Sequence, residues 1–363
     1  MKIFSKDETA KIKGIAILLL LFHHLFYNLD HVEKSQMQFL FFDPADIQPF
    51  AIAARICVWV FVFLSAYGLT CSYMSSMSNK KGKLQFIILK WLSLMKTYWF
   101  VFIIVLLLFS LTIRNPYPYY ENSAPRLILD FLGWSDFFGT PMLSAVWWYM
   151  CLAQILVVLI PAAFVLCDKL GWSSYIVVFL VLQYLPEGIS SQYGGKYSNY
   201  FLVIILAVLC AKKQVFNRIL QKSTSKSKNL LEFIVAFGMI ILLLYFKLKF
   251  TDMDKWQLNS VISSIAAFLI CYVGSKYCTG KFITFILKFL GKHSGNIFMF
   301  HASVYTFWPQ LVYWSKNAII SYLTLLIISI LFSIVIEYIK KVIHYNELFS
   351  HISTALSERS ELH

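Results

Sequence analysis

Lys13-Gly-Ile-Ala-Ile-Leu-Leu-Leu-Leu-Phe-His-His24 decides how this chain is read. The run has the length and apolarity of a membrane span, with a cation at one end and two imidazoles at the other. At 100° per residue, the steps from Lys13 to His24 return the two side chains to nearly one face, about 16 Å apart along the axis. Ile17, Leu20 and Asn28 fall on that face, so Asn28 is placed one turn on to orient the His24 ring, while His23 points elsewhere. An ionisable group inside a span is costly to desolvate unless something pairs with it, which makes Lys13 and His24 candidates for function. The competing reading is that both histidines are neutral and bonded to carbonyls or hydroxyls of neighbouring helices.

The rest of the composition agrees with a membrane protein: 59% of the 363 residues are hydrophobic, 18% aromatic and only 14% charged. A net charge of +14 does not indicate nucleic acid, because the lysines sit in short clusters between apolar runs, where they act as topology signals. The lysine-led start resembles a secretory signal, but His-His-Leu-Phe-Tyr-Asn-Leu-Asp30 follows in place of a small-residue cleavage site, so the first span is expected to be retained. The seven cysteines lie in or beside apolar stretches without a CxxC pair. They are expected to be small core residues, with neither a disulfide framework nor a metal site.

Apolar runs of about twenty residues give ten expected spans: 13–29, 51–74, 91–113, 143–166, 171–185, 197–211, 230–248, 258–275, 294–313 and 319–337. The fifth and sixth are short and flank Pro186-Glu-Gly188 and Gly194-Gly195, so they either tilt or form a re-entrant pair. With a cytoplasmic N-terminus, 23 of the 32 basic residues fall inside, including Lys80 to Lys96, Lys212 to Lys228 and Lys276 to Lys292. The expectation is an all-α polytopic protein of about ten spans with both termini cytoplasmic: a membrane domain over 1–340 and a tail over 341–363. Asp30–Phe50 and Asn115–Pro141 are the longest outer segments, and Gln221–Asn229 reads as a serine and lysine linker. Lys281–Lys292 reads as an amphipathic helix on the inner surface before the ninth span.

Four further constellations can carry chemistry. In Leu290-Gly-Lys-His-Ser-Gly-Asn-Ile-Phe-Met-Phe-His301, Ser294 and His301 share a face, and His301 lies about 10 Å above the inner end of its span, a depth close to that of His24. Two imidazoles at mid-depth suit proton transfer near neutral pH, unless His301 is only a structural hydrogen-bonder. The second span carries Arg55 and then Phe61-Val-Phe-Leu-Ser-Ala-Tyr-Gly68, where Ser65, Ala66 and Gly68 permit close helix approach and Ser65 and Tyr67 add hydroxyls. Arg55 either snorkels to the outer interface or meets a polar substrate. Lys90 and Lys96 at the inner end of the third span either attract donor phosphates or anchor topology. Trp147-Trp148-Tyr149 opens the fourth span, where an aromatic interface belt is the simplest account.

Taken in order, these features resemble the membrane acyltransferase-3 family. The resemblance rests on Lys13 followed after ten residues by His24, the Phe-Val-Phe-Leu-Ser-Ala-Tyr67 stretch, the basic start of the third span, Trp147-Trp148-Tyr149, and Gly291-Lys-His-Ser-Gly-Asn296 leading to His301. It covers nearly the whole chain. It implies a bacterial, multi-pass cell-membrane enzyme that moves an acyl group, usually acetyl from acetyl-CoA, onto a hydroxyl of a surface glycan or lipid-linked oligosaccharide. Acetyl-CoA is then a donor substrate, and no permanently bound cofactor is expected. Carried over, His24 is the catalytic histidine with Lys13 as its basic companion; Ser65 and Tyr67 fall in the Ser-Gly-Tyr motif, and Ser294, Asn296 and His301 in the late one. Lys13 stands where arginine is common, losing the planar fork, and Ala66 replaces the usual glycine. No extracellular hydrolase-like domain is expected, so loops and helix ends must grip the acceptor.

On this reading the CoA phosphates lie near Lys13, Lys90 and Lys96 while the thioester reaches the midplane. His24 acts as general base or transient acyl carrier. His301 with Ser294 orients His24 or holds the acceptor, and Arg55, Trp148 and Tyr149 line the outer approach. The rival from another class is a transporter or flippase of lipid-linked sugars that relays protons through the histidines; a third reading is a non-catalytic assembly scaffold.

Overall fold

The structure is a computed structural model that describes residues 4–78, 82–112, 115–184, 190–191, 195–221, 225–251 and 256–359. Lys2, Lys80, Pro186-Glu-Gly188, Gly194 and part of the 221–229 linker lie outside the described residues.

Helices account for nearly all of it. In chain order they are α1 (Lys6–Phe26), α2 (Leu29–Lys34), α3 (Pro44–Ala54), α4 (Cys57–Ser78), α5 (Lys83–Thr112), α6 (Ala124–Phe131), α7 (Ser135–Phe138), α8 (Trp148–Leu170), α9 (Ser173–Tyr184), α10 (Phe201–Lys212), α11 (Val215–Ile219), α12 (Lys226–Thr251), α13 (Trp256–Tyr277), α14 (Lys281–Phe307), α15 (Pro309–Tyr313), α16 (Ala318–Val342) and α17 (Tyr345–Arg359). Among the described residues, seven helical stretches are long and apolar enough to cross a membrane: α1, α3 with α4, α5, Ala145–Leu170, α12, α13 and α16. They coincide with seven of the ten expected runs. Of the other three, α9 and Tyr197–Lys212 are apolar but shorter. The third, α14, is a continuous helix of 27 residues whose apolar character is diluted by His293, Ser294, Asn296, His301 and Ser303.

Several boundaries differ from the expected ones, each for a local reason. Helix α1 ends at Phe26, and Asn28 does not continue it; Asn28 caps α2, its side chain accepting from the His31 amide at 3.3 Å. Asp43 caps α3 by accepting from the Ala45 amide at 3.1 Å, and Pro44 follows at the first helical position, so the end of the expected outer segment is helical. The second span breaks at Arg55 and Ile56, between α3 and α4. The amphipathic segment from Lys281 and the ninth span are one unbroken helix; it stops at Phe307 because Pro309 lacks an N–H and disfavours helical backbone at Trp308. Gly68 mediates no close approach, since a Cβ there would meet nothing within 4 Å. Five cysteines are buried as expected of core residues, whereas Cys71 is exposed and Cys278 half-buried.

Close approach occurs instead between α1 and α14. A Cβ on Gly14 would collide with the Leu287 backbone, and one on Gly291 with the Ala10 backbone. Without a hydrophobic drive between helices in lipid, such backbone contact supplies the van der Waals packing that holds spans together. Lys288 pairs with Asp7 at the same end. The tail is packed too: Tyr345 Oη donates to the Lys96 carbonyl at 2.9 Å, and Phe349 lies 6.2 Å from Trp99.

The 115–141 segment folds inward around Asp130, which is fully buried. Its carboxylate accepts from the Tyr120 hydroxyl at 2.6 Å and the Leu143 amide at 2.9 Å, and the Tyr98 hydroxyl donates to its carbonyl. Burial pushes the Asp130 carboxyl up to about 7, against the pull of these donors. Free in the unfolded chain it titrates near about 3.9, so the folded form holds the proton between the two values. This contribution to stability is complete below about pH 4 and is lost as pH rises towards about 7. Asp130→Asn is therefore expected to flatten the fall in melting temperature over that window; an unchanged slope in the variant would refute the assignment.

Candidate active site

Because α1 and α14 lie side by side from the Asp7–Lys288 pair upward, His24 and His301 arrive at the same level. Their ring centroids are 5.0 Å apart at 51°. His301 is fully buried, with Nδ1 2.8 Å from the Phe298 carbonyl and 3.1 Å from that of Ile297. Carbonyls only accept, so Nδ1 carries the proton and Nε2 keeps a lone pair. That Nε2 is buried and has no hydrogen-bond partner among the described residues. His24 makes no hydrogen bond among the described residues, so its N–H and lone pair are not committed to the scaffold. His23 does not point elsewhere as expected. It flanks His24 at 4.9 Å, stacks on Tyr27 at 4.7 Å and bonds the Ala51 carbonyl through Nδ1 at 2.8 Å. His23 and His24 thus both line one cavity near the end of α1 although they are 100° apart on the helix.

That cavity has a volume of about 320 Å³ and is lined by His23, His24, Tyr27, Arg55, Trp148 and Tyr305, with Phe298 as a wall. Arg55 lines it from the junction of α3 and α4 and is hydrogen-bonded to Tyr200. Trp148 stacks on Tyr200 at 5.9 Å. Tyr149 lies behind the wall, 5.0 Å from Phe298 and hydrogen-bonded to Ser65. Trp147 and Trp148 do not form an interface belt: both are buried, and Trp147 Nε1 donates to the Met299 carbonyl at 2.9 Å.

The remaining predicted site residues lie away from the cavity. Tyr67 packs between Phe4 and Phe216, at 5.0 and 5.8 Å. Ser294 donates to the Gly291 carbonyl at 2.8 Å, two turns below His301. Asn296 belongs to a separate buried network, donating to Ser333 Oγ at 3.1 Å and Glu337 at 2.9 Å, with Lys340 bonded to Glu337. Asn28, as cap of α2, does not orient His24. Lys13 is half-buried on α1, two helical turns above Asp7 and eleven residues below His24. Lys90 sits over Phe86 at 5.9 Å, and Lys96 borders a cleft of about 710 Å³ between α5 and α17.

Sequence reasoning missed Tyr27 and Tyr305. Their signal was spacing: Tyr27 follows His24 by three residues and Tyr305 follows His301 by four, which puts each tyrosine on its histidine's face. It also missed Lys247, which is buried over the Trp59 ring at 4.1 Å. Among the described residues, no three His, Cys, Asp or Glu side chains converge to hold a metal ion.

A family model described as an acyltransferase domain matches residues 12–338. The chain belongs to the membrane acyltransferase-3 family. The match opens one residue before Lys13 and takes in both His24 and His301, leaving α17 outside. No curated protein and no solved structure matches the chain. As a multi-pass acyltransferase, the protein has two tasks for its interior: to admit an acyl donor and an acceptor, and to manage one proton between them.

Proposed function

We propose that this acyltransferase moves acetyl from cytoplasmic acetyl-CoA to a hydroxyl of a cell-surface or lipid-linked polysaccharide, across ten membrane crossings with both termini in the cytoplasm. The observation that carries the reading is the His24–His301 pair, 5.0 Å apart, of which His24 lines a cavity that also holds Arg55 and Trp148 while His301 is buried behind it. Lys13, Lys90 and Lys96 receive the CoA phosphates, and the thioester arm rises about 16 Å along α1 to His24.

At the cavity, His24 removes the acceptor hydroxyl's proton as its oxygen attacks the thioester carbonyl. The carbon–sulfur bond breaks, and the departing CoA thiolate takes the proton back from the imidazolium. In the reacting complex, His301 Nε2, unpartnered among the described residues of the resting structure, accepts from the His24 N–H, fixing the tautomer and supporting the imidazolium, as an orienting partner does in other base-assisted transfers. Arg55 and Trp148 hold the acceptor sugar, while Tyr149 and Ser65 brace Phe298. The acyl-carrier alternative leaves a labelled protein when acceptor is omitted, and general-base transfer does not.

The test is transfer of label from radioactive acetyl-CoA into glycan in membranes containing the protein. Alkali-labile label in glycan is expected. Its absence with an authentic acceptor present, together with movement of lipid-linked sugar without CoA release, would replace this reading with the flippase.

A further inference from the structure

On the side of α3 turned away from the histidines, two apolar hollows of about 420 and 550 Å³ share Phe50, Ala53 and Leu244. Together they form one groove along α12. It runs from Gly274 and Cys278 at one end to Leu248 and Lys249 at the other. From Phe237 to Lys249 it follows α12 for about 18 Å, more than half the thickness of a bilayer's hydrocarbon core.

Helix α3 is the wall between groove and cavity. Phe50 and Ala53 face the groove, whereas Ile52 and Arg55 face the histidines. Positive charge marks the same end of both spaces. Lys249 closes the groove, and Lys247, two residues earlier, turns inward to Trp59, whose ring lies 4.9 Å from the Tyr200 bonded to Arg55. A hydrocarbon slot, a cation at its mouth and a small aromatic cavity one helix away match the three parts of one ligand class.

We infer that the groove holds the hydrocarbon tail of the acceptor, a sugar carried on a single-chain lipid phosphate. The tail lies along α12, the phosphate meets Lys249, and the sugar passes round the end of α3 to His24. A cavity of about 320 Å³ takes one or two sugar rings and not a polymer strand. A diacyl phospholipid would use the slot and the cation but would place no sugar in the cavity, and one slot serves only one of its two chains. The inference rests on the acyltransferase reading above and selects the lipid-linked acceptor within it.

The test uses the full-length protein in nanodiscs and a polyprenyl phosphate with a diazirine in its tail. Photolabel is expected on 50–54 and 241–249, suppressed about tenfold by excess unlabelled polyprenyl phosphate and not by excess phosphatidylglycerol. Lys249→Glu should cut labelling by the phosphate about tenfold while labelling by the uncharged polyprenol stays unchanged. Ala53→Leu, which narrows the slot without touching a charge, should reduce both. Equal competition by phosphatidylglycerol, scattered label, or indifference to Lys249→Glu would overturn the inference. Because labelling needs no turnover, failure of acetyl transfer in the radioactive assay would count against the enzymatic reading alone.

Discussion

Membranes carrying His24→Ala at the wild-type protein level will transfer acetyl from acetyl-CoA about a thousandfold more slowly, and His301→Ala about a hundredfold more slowly. The difference between the two follows from their surroundings. His24 lines the cavity and makes no hydrogen bond among the described residues, so its ring is available to the reacting hydroxyl. His301 is fully buried and tied through Nδ1 to carbonyls of its own helix, so it acts through His24 and not on substrate. Loss of His301 should therefore lower kcat and leave the KM for acetyl-CoA nearly unchanged, because the lysines assigned to the donor lie more than two helical turns below. His301→Asn, which keeps a polar group facing His24, should recover part of the loss. If His301 were only a structural hydrogen-bonder, both substitutions would lower melting temperature and protein level together and leave turnover per folded molecule intact. Wild-type transfer by His24→Ala would remove it from the chemistry altogether.

What the sequence made legible here depended on distance along one helix. Lys13 and His24, or Ser294 and His301, are related by helical geometry alone, and the depth argument for the two histidines needed only the rise per residue. The placement of Tyr67, Ser65 and Tyr149 depended on which helix neighbours which, and spacing carries no such information. Arg55 shows the limit most clearly. Its position inside an apolar run suggests an unbroken span, yet the hydrogen bonding tightens to i→i−3 at Arg55 and Ile56, the junction of α3 and α4, and Arg55 lines the cavity there. Asn28 failed for a related reason: an asparagine that continues a helical face also satisfies an N-cap, and capping His31 won. The 115–141 segment reads in the sequence as an outer segment, and nothing in its spacing marks Asp130 for burial; the Tyr120 hydroxyl, the Leu143 amide and Tyr98 of α5 supply the donors that allow it.

Gly291→Ala will lower both melting temperature and turnover, whereas Gly68→Ala will change neither. A methyl group on Gly291 would be driven into the backbone of Ala10, and no side-chain rotation can relieve a collision between main chains. The two helices must part, with an overpacking cost at the upper end of the usual range, about 3 kcal/mol. Gly14 presents the reciprocal contact with Leu287, so Gly14→Ala should act alike. The consequence for chemistry arises because each histidine stands ten residues above its glycine on the same helix, His24 above Gly14 and His301 above Gly291. Parting the helices at the glycines separates the imidazoles about 15 Å higher, and a displacement near 1 Å at reacting groups costs about a hundredfold in rate. Gly68 serves as the control: it lies in the resemblance-bearing second span, but a Cβ there meets open space. Thermal unfolding in detergent and acetyl transfer per folded molecule separate the two effects. Wild-type turnover in Gly291→Ala at a reduced melting temperature would mean that the contact supports the fold without setting the spacing of the histidines.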